Sequence, residues 1–381
     1  MALFDIKPRV ATDAARHNEN TYLSYDRSAR KDVDAVRENL NTWFAHYPAS
    51  ERSELKRRFQ TTFSSAYYEL FLHELFRRQG FEIEIHPELP NTSKRPDFLL
   101  RKLKFECYVE AKEARDVTDG QQGHQNKVNT IYDAINKLPL RDYFLGIDEL
   151  ILKLPEQPST KKLISFIHNE AAHYNPDALL DLMLTLGVDI LPRIRYEDEN
   201  LKMTLYLIPK ESEFRTAEGP AIGAYLFETL WGSEESIKDS FSKKANRYGK
   251  LDKPYLVCIN AIGIKGDGDF DIKNAIWGSL AYTWSTSNHR DVKMVREPDG
   301  IFLDLKGPRA VLVSAVLVTK VMEFNIHIAK HWFALHPYAQ HALDCSQFDL
   351  SYAFVREQQV SVQKNKTIAE ILDIASTWLD D

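Results

Sequence analysis

Between Ala66 and Phe76 apolar residues occupy nearly every side of a helical projection: Ala66, Tyr67, Tyr68, Leu70, Phe71, Leu72, Leu75 and Phe76. A helix of that kind belongs in a protein interior. The helical pattern runs from Ser53 to Gln79, and Gly80 stands where a helix stops. Three short strands are predicted next. Phe81–Ile85 alternates Phe, Ile, Ile with Glu, Glu; Pro96–Arg101 is the second and Phe105–Lys112 the third. The segment Arg101–Lys104 has the length of a hairpin connection between the last two. Residues 114–126 read as a Gly/Gln-rich loop, and a helix is predicted over Lys127–Leu138.

Further along, a strand is predicted over Tyr143–Leu154, helices over Thr160–His173 and Pro176–Leu186, and strands over Leu191–Tyr196 and Leu201–Pro209. The run Ser233–Tyr248 carries the marks of a helix. Ser233 can cap it, Glu234 and Glu235 open it, Lys243, Lys244 and Arg247 lie near its end, and Gly249 follows. Tyr255–Asn260 is a short apolar strand. Beyond residue 263, strands are predicted over Gly300–Leu305, Ala310–Thr319 and His327–Leu335, with a last helix over Ile368–Leu379. The pattern divides the chain into a helical extension (1–52), the first part of a core (53–137), an insertion (138–232), a helix and strand that complete the core (233–262), and a C-terminal α+β region (263–381).

Composition narrows the class. The 381 residues allow two or three domains, or one core carrying large insertions. With 44% hydrophobic and 27% charged residues, the chain is not disordered, collagenous or a coiled-coil rod. Cys107, Cys258 and Cys345 cannot form a disulfide framework and have no metal-finger spacing, so a reducing, cytoplasmic location is expected. No stretch approaches 18 uninterrupted apolar residues, so neither a secretory signal nor a membrane partner is expected. The net charge of −6 excludes a uniformly basic nucleic-acid binder, but the charge is uneven. Residues 138–235 hold 9 Lys/Arg against 17 Asp/Glu, whereas residues 236–253 hold 6 against 2. A local basic surface therefore sits on an acidic chain.

The chemistry concentrates in the first core segment. Side chains alternate along a strand, so Glu110 and Lys112 share one face while Phe105, Cys107, Val109 and Ala111 share the other. If the hairpin turns near Lys102–Leu103, Asp97 lies opposite residue 108 or 109, beside Glu110. Two adjacent half-buried carboxylates repel and lose hydration, and a divalent cation resolves both problems. Mg²⁺ accepts oxygen ligands and is often held by one or two carboxylates, and Mn²⁺ can substitute. Glu69, on the buried helix, is a third candidate ligand; Glu74 points about 140° away from it on a helix. Lys112 would position a water and offset developing charge.

A helix with Glu69, a strand, a Pro96-Asp97 strand and then a Glu110-Ala111-Lys112 strand resembles the core of the PD-(D/E)XK, restriction-endonuclease-like superfamily. The resemblance covers about residues 60–137, with 233–248 and 255–260 as later parts. It implies an α/β fold with a mixed central sheet flanked by helices, here with a large insertion and a C-terminal extension. It further implies Mg²⁺-dependent hydrolysis of phosphodiester bonds, in DNA more often than RNA, and a role in restriction or phage defence. The catalytic set would be Asp97, Glu110, Lys112 and Glu69, with Asp97, Glu110 and Glu69 on the metal. Lys243, Lys244 and Arg247 would track a nucleic-acid backbone, and His124 would face the cleft. A homodimer accords with duplex cleavage, which needs two cuts.

Other readings stay open. Asp97 can be an ordinary turn residue and Glu110–Lys112 an exposed cross-strand pair. A catalytically inactive nuclease fold that binds nucleic acid or assembles with partners has the same pattern, and a small-molecule hydrolase would show a closed apolar pocket instead. The tripeptide alone is weak, because the chain has six Asp/Glu-x-Lys matches. The strongest decoy, Pro298-Asp299 with Asp304-Leu305-Lys306, leaves only five residues between its acidic positions, too few for two adjacent strands. His327, His331, His336 and His341 match no zinc spacing, and Asp267, Asp269 and Asp271 lack the remaining calcium-loop positions.

Overall fold

Eight strands enter one mixed sheet in the order in which they occur along the chain: β1 (Glu82–Ile85), β2 (Phe98–Lys102), β3 (Phe105–Glu113), β4 (Tyr255–Asn260), β5 (Ala315–Lys320), β6 (Lys330–Leu335), β7 (Tyr352–Arg356) and β8 (Gln359–Gln363). In this computed structural model the described residues are all but 14, 16–18, 115–118, 155, 157, 217–218, 225–232, 263–267, 286–287, 357–358 and 380–381; the side chains of 119–126, 224, 233 and 282–294 also lie outside the description. Strands β1, β2 and β3 form an antiparallel meander. Strand β4 joins β3 in parallel, and β5 joins β4 in parallel. A parallel neighbour on each side leaves β4 covered on both faces. Its sequence, Tyr-Leu-Val-Cys-Ile-Asn, accordingly alternates between two cores: Leu256 and Cys258 face one, Tyr255, Val257 and Ile259 the other.

The first core is closed by helices α1 (Thr21–Arg27), α2 (Lys31–His46), α3 (Arg52–Thr61), α4 (Phe63–Arg78) and the short α7 (Ile368–Leu372). Helix α4 is buried from Ala66 through Phe76, because the sheet covers one side and α2 and α3 cover others. The second core is closed by α5 (Ser233–Ala245) and α6 (Asp269–Trp277). The result is a helix–sheet–helix arrangement around the element order α4–β1–β2–β3, then α5–β4. The chain forms two compact units, and all of these elements lie in one of them (1–13, 20–116 and 231–381).

The other unit comprises 14–19 and 117–230. Its four-stranded sheet has the order 193–197, 201–209, 143–152, 222–224. Leu201, Met203, Leu205 and Leu207 alternate inward along one strand and pack with Ile131, Ile135, Leu163 and Ile167 from helices Asp119–Ile135 and Lys161–Ala171. The sequence pattern places the insertion from 138, but the compact unit begins at 117. Residues 119–126, expected as a loop, are helical. Gly120 and Gly123 drew that expectation, and the surrounding Gln and Asn residues are compatible with a helix continuing into 127–135.

The C-terminal elements are shorter than expected. Only Leu303–Asp304 of the predicted strand 300–305 pairs, with Gly307–Pro308. Strand β5 begins at Ala315 because Ala310 takes a left-handed conformation (φ 51°) and Val313 N–H bonds back to its carbonyl. Helix α7 stops at Leu372, where Asp373 (φ 56°) forms a left-handed cap. A ladder not read from the sequence joins Leu280–Ser285 to Asn288–Arg296.

The β2–β3 hairpin has a two-residue loop, since Lys102 pairs with Phe105. Leu103 takes φ 57° there and is 98% exposed. A left-handed conformation costs a side chain without local hydrogen bonding about 1–2 kcal/mol, and this loop geometry favours Asn or Gly. Leu103→Gly is therefore expected to stabilise the unit by about 1 kcal/mol in urea unfolding, with no change in spectroscopic signature.

Candidate functional site

The hairpin register places the acidic groups. Phe98 pairs with Val109 at the end of the β2–β3 ladder, and His86 N–H bonds the Asp97 carbonyl at 3.0 Å, which carries the neighbouring β1–β2 ladder one residue past Phe98. One step further along, Asp97 stands opposite Glu110, not opposite 108 or 109 as the turn position implied. Directly opposed residues on antiparallel strands present side chains to the same face. Asp97 and Glu110 thus meet, and Lys112 shares the strand face of Glu110.

Each carboxylate has a different environment. Asp97 Oδ2 accepts a 2.6 Å hydrogen bond from Ala111 N–H, and Asp97 has no ion-pair partner among the described residues. Burial, then Glu110 and Glu69, raise its pKa to about 7. Glu110 is 2% exposed and carries the opposite balance. Lys244 Nζ and the Tyr248 hydroxyl both donate to it, and Arg247 Nε lies 3.7 Å away. Burial and Glu110 hold the Tyr248 hydroxyl well above its ordinary range. Glu69, 3% exposed, accepts from the Tyr47 hydroxyl at 2.7 Å and pairs with Arg58 Nη1 at 2.6 Å. Arg58 in turn lies in the field of Asp97. Glu74 binds Arg77, Arg78 and His46 instead, so Glu69 is the helix carboxylate that faces Asp97.

The structure thus brings Asp97, Glu110 and Glu69 within electrostatic reach of one another, with Lys112 on the Glu110 face. It distributes the basic residues differently from the expectation. Lys244 and Arg247, expected on a phosphate backbone, close on Glu110. Lys243 is exposed on α5. His124 falls within helix Asp119–Ile135, and its side chain lies outside the described residues. The reason lies in the end of α5. The helix stops at Ala245, Arg247 N–H bonds Lys244 O in a final turn, and Gly249 (φ 68°) redirects the chain. Tyr248 is thereby turned inward, 7% exposed, with its hydroxyl oxygen also 2.9 Å from Arg95 O.

Arg58 and Tyr47 went unread in the sequence. A buried Glu in an otherwise apolar helix requires a counter-charge, which is the signal that could have pointed to Arg58 one helix earlier. The decoy Asp304-x-Lys306 sits in a tight turn: Lys306 N–H bonds Asp304 Oδ1 at 2.7 Å, Arg309 pairs with Asp304, and Ser279 satisfies Asp299. The C-terminal histidines make separate local contacts, His331 with Ser351 O, His336 with Arg309 O and His341 with Leu251 O.

Among the described residues, no three His, Cys, Asp or Glu side chains gather as a complete cage for a metal ion. The Asp97–Glu110 pair fits a less complete one. Glu110 has Lys244 and Arg247 beside it whereas Asp97 has no ion-pair partner among the described residues, and Mg²⁺ needs only one or two protein carboxylates when it keeps its waters. Glu69 is committed to Arg58 and Tyr47, so it shapes the charge around Asp97 from behind. Compared with known families, with curated proteins and with solved structures, the chain matches none. No helix of the described residues is long and apolar enough to cross a membrane.

Proposed function

We propose that the protein is a metal-dependent endonuclease of the PD-(D/E)XK type, acting on nucleic acid and on DNA in preference to RNA. The observation that carries the reading is the Asp97–Glu110 pair, aligned across the β2–β3 hairpin beside Lys112, within the order α4–β1–β2–β3–α5–β4. Asp97 and Glu110 would hold Mg²⁺, which supplies Lewis-acid activation of the scissile phosphate and of a water. Lys112 orients the water and offsets charge on the phosphorane-like transition state. Asp97 is kept in register by the Ala111 N–H. Glu69 and Arg58 set the local field, and the exposed Lys243 meets the phosphate backbone.

The second reading is a nuclease fold without catalysis. It is favoured by the contacts of Lys244 and Tyr248 with Glu110, which already satisfy that carboxylate. One experiment separates the two. Supercoiled plasmid and single-stranded substrates are incubated with the protein in Mg²⁺, Mn²⁺ or EDTA. Cleavage that requires metal and disappears in both Asp97→Ala and Lys112→Ala supports the endonuclease. Binding with no cleavage in either metal supports the non-catalytic module.

A further inference from the structure

A cleft of about 230 Å³ opens beside the candidate site. Its apolar walls come from Leu89, Pro90, Leu251 and Tyr248, and its rim carries Asn91 and Lys250. The walls are built in place. Leu89 and Thr92 form a β-bridge that closes the 89–92 turn, and Lys94 Nζ ties the following loop to Arg247 O at 3.2 Å. Tyr248 is anchored at its hydroxyl by Arg95 O and Glu110, and His341 lies 3.1 Å from Leu251 O. The rim groups are uncommitted: neither the Asn91 amide nor the Lys250 ammonium has a hydrogen-bond or ion-pair partner among the described residues. Asp252, also at the edge, is occupied by Tyr108 and Lys253.

We propose that this cleft is a nucleobase subsite, taking the purine base of an unpaired or extruded nucleotide. The proposal rests on the nuclease reading for its biological setting, but not for its chemistry. The volume lies below the roughly 300–1,000 Å³ of sites for drug-sized ligands and suits a single heterocycle. Apolar and aromatic walls accept a base without regard to sequence. The Asn91 amide presents a donor and an acceptor side by side, the complement of the adenine N6–N7 edge. Lys250 supplies a point charge for the attached phosphate. Tyr248 connects the two places, because its side chain lines the cleft while its hydroxyl donates to Glu110. A base seated there lies one tyrosine away from the carboxylate pair. A stacked, paired base cannot enter such a recess, so the subsite selects single-stranded or locally opened nucleic acid.

The test is calorimetric titration of the full chain in EDTA with AMP, ribose 5-phosphate and inorganic phosphate. AMP is expected to bind roughly tenfold more tightly than ribose 5-phosphate. Asn91→Ala should reduce AMP affinity about fivefold and leave ribose 5-phosphate unchanged. Lys250→Ala should weaken both phosphoesters alike. Both residues are exposed, so neither variant threatens folding. Equal binding of AMP and ribose 5-phosphate, no AMP binding up to about 10 mM, or an Asn91→Ala variant with wild-type AMP affinity overturns the subsite. Since metal is absent, base-selective binding in a protein that never cleaves supports the subsite and sinks only the nuclease reading. Cleavage without base-selective binding sinks the subsite alone.

Discussion

Asp97→Asn is expected to lower metal-dependent cleavage by on the order of 10³-fold while making the folded protein more stable above neutral pH. The two effects share one cause. Asp97 is held among Glu110, Glu69 and partly buried surroundings with no cation paired to it among the described residues, and its pKa is raised to about 7. Between pH 4 and 7 the folded state retains a proton that the unfolded chain has released. Stability therefore falls as the pH rises through that interval and levels off above about 7. Asparagine removes the charge and can still accept the Ala111 hydrogen bond. The gain should be negligible near pH 4 and roughly 1–3 kcal/mol at pH 8, seen as a rise of about 3–8 °C in the thermal midpoint. Mg²⁺ at pH 8 should raise the wild-type midpoint by mass action and leave that of Asp97→Asn unchanged. A wild-type midpoint insensitive to Mg²⁺, together with no gain from asparagine at pH 8, would show that Asp97 is not an uncompensated charge and remove the basis of the metal assignment.

The second large effect concerns Arg58→Met. Glu69 is 3% exposed and its two oxygens are taken by Arg58 and Tyr47, so deleting the guanidinium strands a buried carboxylate. Breaking a buried pair from one side costs about 3–5 kcal/mol, most of it the penalty on the group left behind. Arg58→Met should lower stability by that amount in urea unfolding. The double variant Arg58→Met/Glu69→Gln should recover at least about half of the loss, because the stranded charge is gone. A single variant costing less than about 1 kcal/mol would mean that water or another cation reaches Glu69 and that the pair is not a closed unit.

Several parts of this molecule were readable from local pattern. The α4 helix announced its burial through apolar residues on every side, and it is buried from Ala66 to Phe76. The alternation of Phe105, Cys107, Val109 and Ala111 against Glu110 and Lys112 described the two faces of β3 before the sheet was known. The choice between Glu69 and Glu74 was less accessible. Helical geometry stated that they diverge, but only the packing of α2 and α3 against α4 showed which meets the hairpin. The hairpin register was displaced by one or two residues, because Leu103 accepts a left-handed conformation that its side chain does not favour.

The amino-acid order by itself determined helix α4, strands β1 to β4 and which side chains share a strand face, since these follow from periodicities of 3.6 and 2 over a few residues, but it did not disclose β7 and β8 of the same sheet. Tertiary structure alone decided the charge state of the candidate site. Lys244, Arg247 and Tyr248 are separated from Glu110 by more than 130 residues, and they reach it because β4 pairs in parallel with β3 and α5 packs on that face. Counter-charges of that kind are set by distance in space, and local sequence carries no record of which cation will come to rest on which carboxylate.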